Sequence, residues 1–314
     1  MERVLLASPR GYCAGVERAV DTVQRTLRLY GAPVYVRKQI VHNTHVVRDL
    51  EALGAVFVDA VSEVPEGGIV VFSAHGVSPA VRAGAEARRL ATIDATCPLV
   101  TKVHAQAQRY AKEGYTIVLI GHAGHEEVEG TMGEAPEATV LVESVADAEA
   151  LDLPADARPA YITQTTLSVD ETREIVAVLQ RRFPGIRGPA REDICYATTN
   201  RQAAVKELLE AVDALLVIGS SNSSNSKRLV EVAAAAGVSA YLVDDASEID
   251  PAWLEGVHVV GVTSGASAPE RLVREVCDWF RARGVLEFVE QRDVRVDVFF
   301  RLPVELRRAE RSAA

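Results

Sequence analysis

The sequence predicts an α/β protein of three similar units, each built on a mainly parallel sheet. Short apolar runs alternate with longer segments whose apolar residues recur at helical spacing, the pattern of strand–helix–strand crossovers. The alternation recurs three times, each time from a cysteine. Every copy also places small polar residues directly after its apolar runs, and loops at the carboxyl ends of parallel strands are where ligands gather.

The copies begin at Cys13, after the apolar run Val4–Ala7, at Cys97, after Ala91–Thr96, and at Cys195, after Arg191–Ile194. A helical pattern follows each cysteine: Val16–Leu29, Leu99–Lys112 and Arg201–Ala211. A strand and a polar loop come next, so that His42 lies 29 residues after Cys13, His125 lies 28 after Cys97 and Ser224 lies 29 after Cys195. The helix after each loop ends near a glycine (Gly54, Gly133, Gly237), a common helix stop. Third strands then end in acid at Asp59, Glu143 and Asp244. Fourth strands lead to Ser73-Ala74-His75-Gly76, Thr163-Gln164-Thr165-Thr166 and Thr263-Ser264-Gly265-Ala266-Ser267, each just before another helix start.

The units are expected at 1–96, 97–193 and 194–284, with a C-terminal arm over 285–314 that packs on the body through Phe288, Val296, Phe299 and Phe300 and frays from Arg307 to Ala314. Repeats of roughly ninety residues are too long for an ordinary solenoid. The expected arrangement is a pseudo-threefold trefoil whose polar loops converge on one central cavity.

The formal charge of −10 argues against a general nucleic-acid binder but allows an anionic small ligand, because N–H and hydroxyl groups bind phosphate without net positive charge. No apolar run approaches the roughly 18 residues that span a bilayer, and Met1 to Ala7 is too short for a signal-peptide core. The expectation is a cytoplasmic monomer. Four cysteines in a reducing compartment do not make a disulfide framework, which leaves inert thiols, a metal site or a catalytic thiol.

A single cysteine at a strand-to-helix junction reads more readily as a small buried residue than as a thiol biased toward thiolate by the helix N-terminus. The repetition of that placement favours ligation. Paired zinc spacings such as C-x2-C are absent, whereas three thiolates suit a 4Fe-4S cluster with one iron left open. Cys277 has no repeat-equivalent position and is expected to pack inside its helix. Ser220–Ser226 reads as a flexible linker by composition, but its place between a buried strand and a helix makes it an anion cradle. His42, His75 and Ser267 stand in corresponding loops, while His45, His104, His122 and His258 are expected to be structural. The loop His125-Glu126-Glu127 is the one acidic cluster among these loops, and the residues alone leave it open between a solvated carboxylate and a proton donor with a raised pKa. Thr165 and Thr166 are placed to meet a substrate hydroxyl.

Eight segments, Arg10-Gly11-Tyr12-Cys13-Ala14-Gly15-Val16, Ile40-Val41-His42-Asn43, Ser73-Ala74-His75-Gly76, Asp94-Ala95-Thr96-Cys97-Pro98, Gly124-His125 through Gly133, Thr163-Gln164-Thr165-Thr166, Cys195 through Gln202 and Asn222-Ser223-Ser224-Asn225-Ser226, together resemble the 4-hydroxy-3-methylbut-2-enyl diphosphate reductases of the non-mevalonate isoprenoid pathway. The resemblance covers nearly the whole chain, although the arm after about Arg301 is not matched. It implies a 4Fe-4S cluster held by Cys13, Cys97 and Cys195, and a diphosphate held by His42, His75, His125, Ser223, Ser224, Asn225 and Ser267. Glu127, Thr165 and His125 are the implied catalytic groups. The implied reaction is reductive dehydroxylation to isopentenyl and dimethylallyl diphosphate with two electrons from a ferredoxin or flavodoxin. Such donors are acidic, and Arg37-Lys38, Arg88-Arg89 and Arg181-Arg182 are candidate docking positions. One departure stands out: Glu126 occupies a position where the family pattern has proline, leaving two adjacent acids, of which Glu127 is taken as catalytic. The rival readings are another three-cysteine trefoil enzyme such as quinolinate synthase, and a structural zinc protein using the three cysteines and a histidine.

Overall fold

The computed structural model describes residues 1–291 and 297–313. In chain order the elements are β1 (Arg3–Leu6), α1 (Ala14–Tyr30), β2 (Val34–Arg37), α2 (Thr44–Ala52), β3 (Ala55–Val58), β4 (Ile69–Phe72), α3 (Pro79–Ala87) and β5 (Ala91–Asp94). There follow α4 (Pro98–Lys112), β6 (Thr116–Ile120), α5 (Glu126–Gly133), β7 (Thr139–Val142), α6 (Val145–Ala150), β8 (Pro159–Thr163) and α7 (Val169–Arg182). The last stretch holds α8 (Tyr196–Leu208), β9 (Ala214–Ile218), α9 (Ser224–Ala235), β10 (Ser239–Val243), β11 (Val259–Ser264), α10 (Glu270–Arg281), β12 (Glu287–Glu290) and α11 (Val304–Ala313). The expected mixed α/β organisation with three parallel sheets is therefore present.

The chain divides into two compact units, one of Met1–Glu17, His42–Asp49 and Tyr196–Phe299, the other of Arg18–Val41, Leu50–Cys195 and Phe300–Ala314. The first carries a sheet in the order β10-β9-β11-β1-β12, and the second carries β3-β2-β4-β5 and β7-β6-β8. Neighbouring strands run parallel throughout. Parallel neighbours require a crossover, here usually a helix, so the loops that leave the strands gather at their carboxyl ends.

These orders share one plan with a phase that the repeats do not reveal. The segment preceding each cysteine pairs with the fourth strand of the copy before it: β5, leading to Cys97, lies beside β4, and Arg187, upstream of Cys195, makes an isolated parallel bridge to Ala160 in β8. β1, leading to Cys13, lies beside β11 of the last copy. Residues 1–17 accordingly fall in one unit with 42–49 and 196–299, apart from most of the expected 1–96 segment. Before Cys195 there is no strand; the Asp193 carboxylate instead accepts from Thr163 N at 3.2 Å, closing the end of β8 with a side chain.

Sheet burial follows the two-residue alternation of strands. Leu216 and Ile218 of β9 pack on one face with Leu272, Val276 and Phe280 of α10, while Leu215 and Val217 pack on the other with Val205 and Leu229. β6 repeats this, with Ile117 and Leu119 against Tyr110 of α4, and Val118 and Ile120 against Ile175 and Leu179 of α7. A strand buried on both faces reads as a continuous apolar run, as the sequence of β9 does.

The C-terminal arm differs from expectation at its tip. β12 extends the first unit's sheet and Phe288 packs on its core, but Phe299 is exposed, Phe300 is half-buried and Val296 lies outside the described residues. The segment expected to fray forms α11 instead. Leu306 is fully buried, and Glu310 pairs with Arg25 of α1 at 3.3 Å. Burial of Leu306 and the Glu310–Arg25 pair outweigh the usual loosening of a terminus.

Two glycines admit the closest approach in the first unit. A Cβ on Gly219 or Gly265 would lie 2.1 or 2.0 Å from Oγ of Ser226, which is fully buried in α9. Gly265→Ala should therefore lower stability by roughly 1–3 kcal/mol, the scale of an overpacked core, read as a drop in the thermal midpoint. An unchanged midpoint would contradict this packing.

Candidate functional site

In the first unit Cys13 caps the start of α1. Gly11 supplies the turn into it with φ +74°, its N–H donating to Ser264 Oγ at 2.8 Å and its carbonyl accepting from Arg201 Nη2 at 2.6 Å. Val16 N approaches Cys13 Sγ at 3.5 Å, and Ala14 N donates to the Tyr196 hydroxyl at 3.2 Å. Cys13 also lines a cavity of about 760 Å³ together with Arg10, Tyr196, Arg201 and Glu290.

The same unit gathers most of the expected anion-binding groups at the start of α9. Ser223 caps the helix by accepting from Ser226 N, and Ser224 and Asn225 occupy its first turn, both buried. Asn225 is held from both ends: Oδ1 accepts from Ala266 N at 2.9 Å, and Nδ2 donates to Thr198 Oγ1 at 3.2 Å. Ser267 Oγ donates to the His42 carbonyl at 2.8 Å, and Asn222 Nδ2 stands 3.4 Å from His42 Nδ1. His42, Ser267 and the serine-rich loop thus meet, as their equivalent repeat positions predict. The linker reading of Ser220–Ser226 is excluded, since Ser220 is buried and receives Thr44 N at 2.9 Å.

In the second unit Cys97 caps α4, its N–H donating to the Ala74 carbonyl at 2.9 Å, and Cys195 directly precedes α8, its N–H donating to the Thr165 carbonyl at 3.0 Å. Cys13, Cys97 and Cys195 are half-buried and outside any disulfide. Cys277, as expected, is packed in the core of α10, where burial pushes its thiol pKa up. Three thiols at helix starts, each after a strand or a closed strand end, fit the donor chemistry of an iron–sulfur cluster.

α5 carries the acidic loop. His125 caps it, Nδ1 accepting from Glu127 N at 3.2 Å. The two acids part from there. Glu126 Oε2 lies 3.1 Å from His75 Nδ1, whereas Glu127, 2% exposed, accepts from Thr165 N at 2.6 Å through Oε1 and from Thr165 Oγ1 at 3.1 Å through Oε2. Burial pushes the Glu127 pKa up to about 7 against the pull of both Thr165 bonds, with the Asp193 charge adding to the rise. Burial also lowers His75 to about 4, so its ring is neutral near pH 7. The His75 and His125 rings meet edge-on at 5.8 Å. Thr166 Oγ1 accepts from Gln164 Nε2 at 2.9 Å, fixing the loop and leaving Thr165 as the residue on the acid.

His104 and His45 are structural as expected. His104 pairs with Glu134 at 2.8 Å beneath Gly76 and Gly130, and His45 pairs with Asp245 at 2.9 Å. The sequence reading missed four supporting groups: Asn222 on His42, Thr198 on Asn225, Arg201 on the Gly11 carbonyl and Glu126 on His75. All four lie inside quoted motifs, so their motif positions were the available signal. At the candidate docking positions, Lys38 pairs with Asp59, Arg89 with Glu66 and Arg181 with Glu149.

Comparison with known proteins follows the same lines. The LytB protein family model matches residues 4–281. The 4-hydroxy-3-methylbut-2-enyl diphosphate reductase of Acidothermus cellulolyticus is 62% identical over 98% of this chain and 90% of its own length, and that of Rhodococcus opacus is 57% identical over 98% and 92%. A solved structure of the E-1-hydroxy-2-methyl-but-2-enyl-4-diphosphate reductase from Plasmodium falciparum superposes with a TM-score of 0.95 at 40% identity, covering 99% of this chain and 98% of that one. The chain belongs to the LytB protein family.

Proposed function

We propose that the chain is a 4-hydroxy-3-methylbut-2-enyl diphosphate reductase, replacing the allylic hydroxyl of its substrate by hydrogen to give isopentenyl and dimethylallyl diphosphate. Near-full-length identity to relatives named for this activity supports the substrate, and the buried Glu127–Thr165 pair is the single structural observation that carries the chemistry. The quinolinate synthase and structural zinc readings draw no support from these relatives. Exchange of C–OH for C–H consumes two electrons and two protons and releases water.

Cys13, Cys97 and Cys195 would hold a 4Fe-4S cluster. When bound, such a cluster supplies single electrons and Lewis acidity at an iron with no protein ligand. His42, His75, His125, Ser223, Ser224, Asn225 and Ser267 would take the diphosphate, helped by the amides that start α9. Burial keeps the His75 ring neutral in the free protein, and an arriving diphosphate favours its protonation.

Glu127 would deliver protons, and its geometry states from which atom. Thr165 N can only donate, so Oε1 is always an acceptor. The proton of the neutral acid therefore sits on Oε2, facing Thr165 Oγ1 at 3.1 Å. In that state the hydroxyl accepts from Glu127 and is free to donate onward to the substrate oxygen. A carboxyl with a pKa of about 7 keeps this proton at neutral pH, where an ordinary glutamic acid has lost it. The electron donor proposed is a ferredoxin or flavodoxin, and the setting a soluble cytoplasmic monomer. Among the described residues no helix is long and apolar enough to cross a membrane.

Anaerobically reconstituted Cys13→Ser, Cys97→Ser and Cys195→Ser proteins should each lose most of their iron and sulfide, while Cys277→Ala keeps both. Full metal content in any of the three would remove that residue from the ligand set. Glu127→Gln should retain the metal and bind substrate but turn over at least about a hundredfold more slowly with a viologen reductant, the scale of a lost general acid; near-normal turnover would end its assignment.

The pH profile supplies a signed test. Glu127 is protonated below about pH 7 and ionised above it, so kcat should fall on the alkaline side with an apparent pKa near 7. Thr165→Val removes a bond that favours the carboxylate, and should move this limb to higher pH while slowing turnover. A shift to lower pH would contradict the assignment.

A further inference from the structure

We propose that Glu126 is a positioning residue for His75: its carboxylate accepts the Nδ1 proton and so fixes the tautomer and orientation with which the ring meets an anionic ligand through Nε2. The inference rests on the diphosphate reading above and deepens it. Glu126 opens α5, whose first turn is held by the His125 cap, so the carboxylate sits on a rigid element. Its Oε2 lies 3.1 Å from His75 Nδ1, with only 14% of either side chain exposed. The loop bearing His75 is equally constrained. Gly76 follows with φ +84°, packed against the His104 ring, and His125 meets the His75 ring edge-on.

The two nitrogens of an imidazole are not equivalent, and the bond made by one dictates what the other can do. A carboxylate only accepts, so Nδ1 carries the proton of the neutral ring. Nε2 is then the nitrogen that takes up a second proton when a phosphate approaches, and the resulting imidazolium donates to Glu126 on one side and to the ligand on the other. Without Glu126 the ring loses the acceptor that holds its Nδ1 proton. A carboxylate near a diphosphate also repels it, and the pairing with His75 opposes that repulsion, which makes the sign of its removal informative.

The test uses the full chain and two readouts. In the unmodified protein, 15N NMR of the ring nitrogens, assigned with His75→Asn, should show His75 protonated at Nδ1 and bare at Nε2; in Glu126→Ala the proton should shift toward Nε2 or average between the two. In Glu126→Ala and the shape-preserving Glu126→Gln, the dissociation constant of inorganic diphosphate and the substrate KM should rise roughly tenfold with kcat within about twofold, the scale of a lost ligand-orienting partner. In a His75→Asn background the same changes should have less than about a twofold effect. An unaltered His75 tautomer in Glu126→Ala, tighter diphosphate binding, or an equal loss in the His75→Asn background would each overturn the proposal. If the unmodified chain neither binds diphosphate nor turns over substrate, the reductase reading falls, and the ring-nitrogen signals still decide the role of Glu126.

Discussion

Parallel strand pairing is the constraint on which the rest of the structure depends. Because β1 and β5 run parallel to their sheet neighbours, the cysteines that follow them leave from the same end of the sheet as the polar loops after β2, β4, β9 and β11. The chain then turns directly into a helix, so Cys13 and Cys97 stand at the N-terminal ends of α1 and α4. The proposed ligand and anion-binding positions are thereby placed by backbone topology before any side chain is chosen. Buried side chains finish the placement, as when Arg201 ties the Gly11 carbonyl to α8 and Asn225 ties α9 to the loop after β11.

Two adjacent acids on one helix illustrate how environment divides labour. Glu126 and Glu127 differ by one position, which on a helix turns the side chain by about 100°. One reaches a histidine; the other is closed off against the backbone and hydroxyl of Thr165. Desolvation outweighs two hydrogen bonds at Glu127 and leaves a carboxyl able to carry a proton at neutral pH. In the proposed reaction that proton is needed beside a leaving hydroxyl, and a fully exposed glutamate would not hold it.

Much of the fold was legible in the sequence because it follows from local periodicity. The helices α1, α4 and α7 to α10 and the strands of all three copies fall where apolar spacing and loop chemistry put them. Pairing partners were less legible, since a repeat does not say which copy's sheet a strand completes; β1 joins β11 across more than 250 residues of chain. The tip of the arm was misread because a single buried Leu306, invisible in composition, is enough to dock α11. Within the candidate site, equivalent loop positions brought His42, Ser267 and the α9 start together as expected. The Glu126–His75 bond joins two loops 51 residues apart, and no local pattern encodes it.

The most direct measurement is product analysis under anaerobic conditions, with iron and sulfide assayed on the same sample of the unmodified chain. Given 4-hydroxy-3-methylbut-2-enyl diphosphate and a reduced viologen, the account predicts isopentenyl and dimethylallyl diphosphate, formed with two electrons consumed per molecule and only when both substrate and reductant are present. A sample with full iron and sulfide that leaves the substrate unchanged would contradict it.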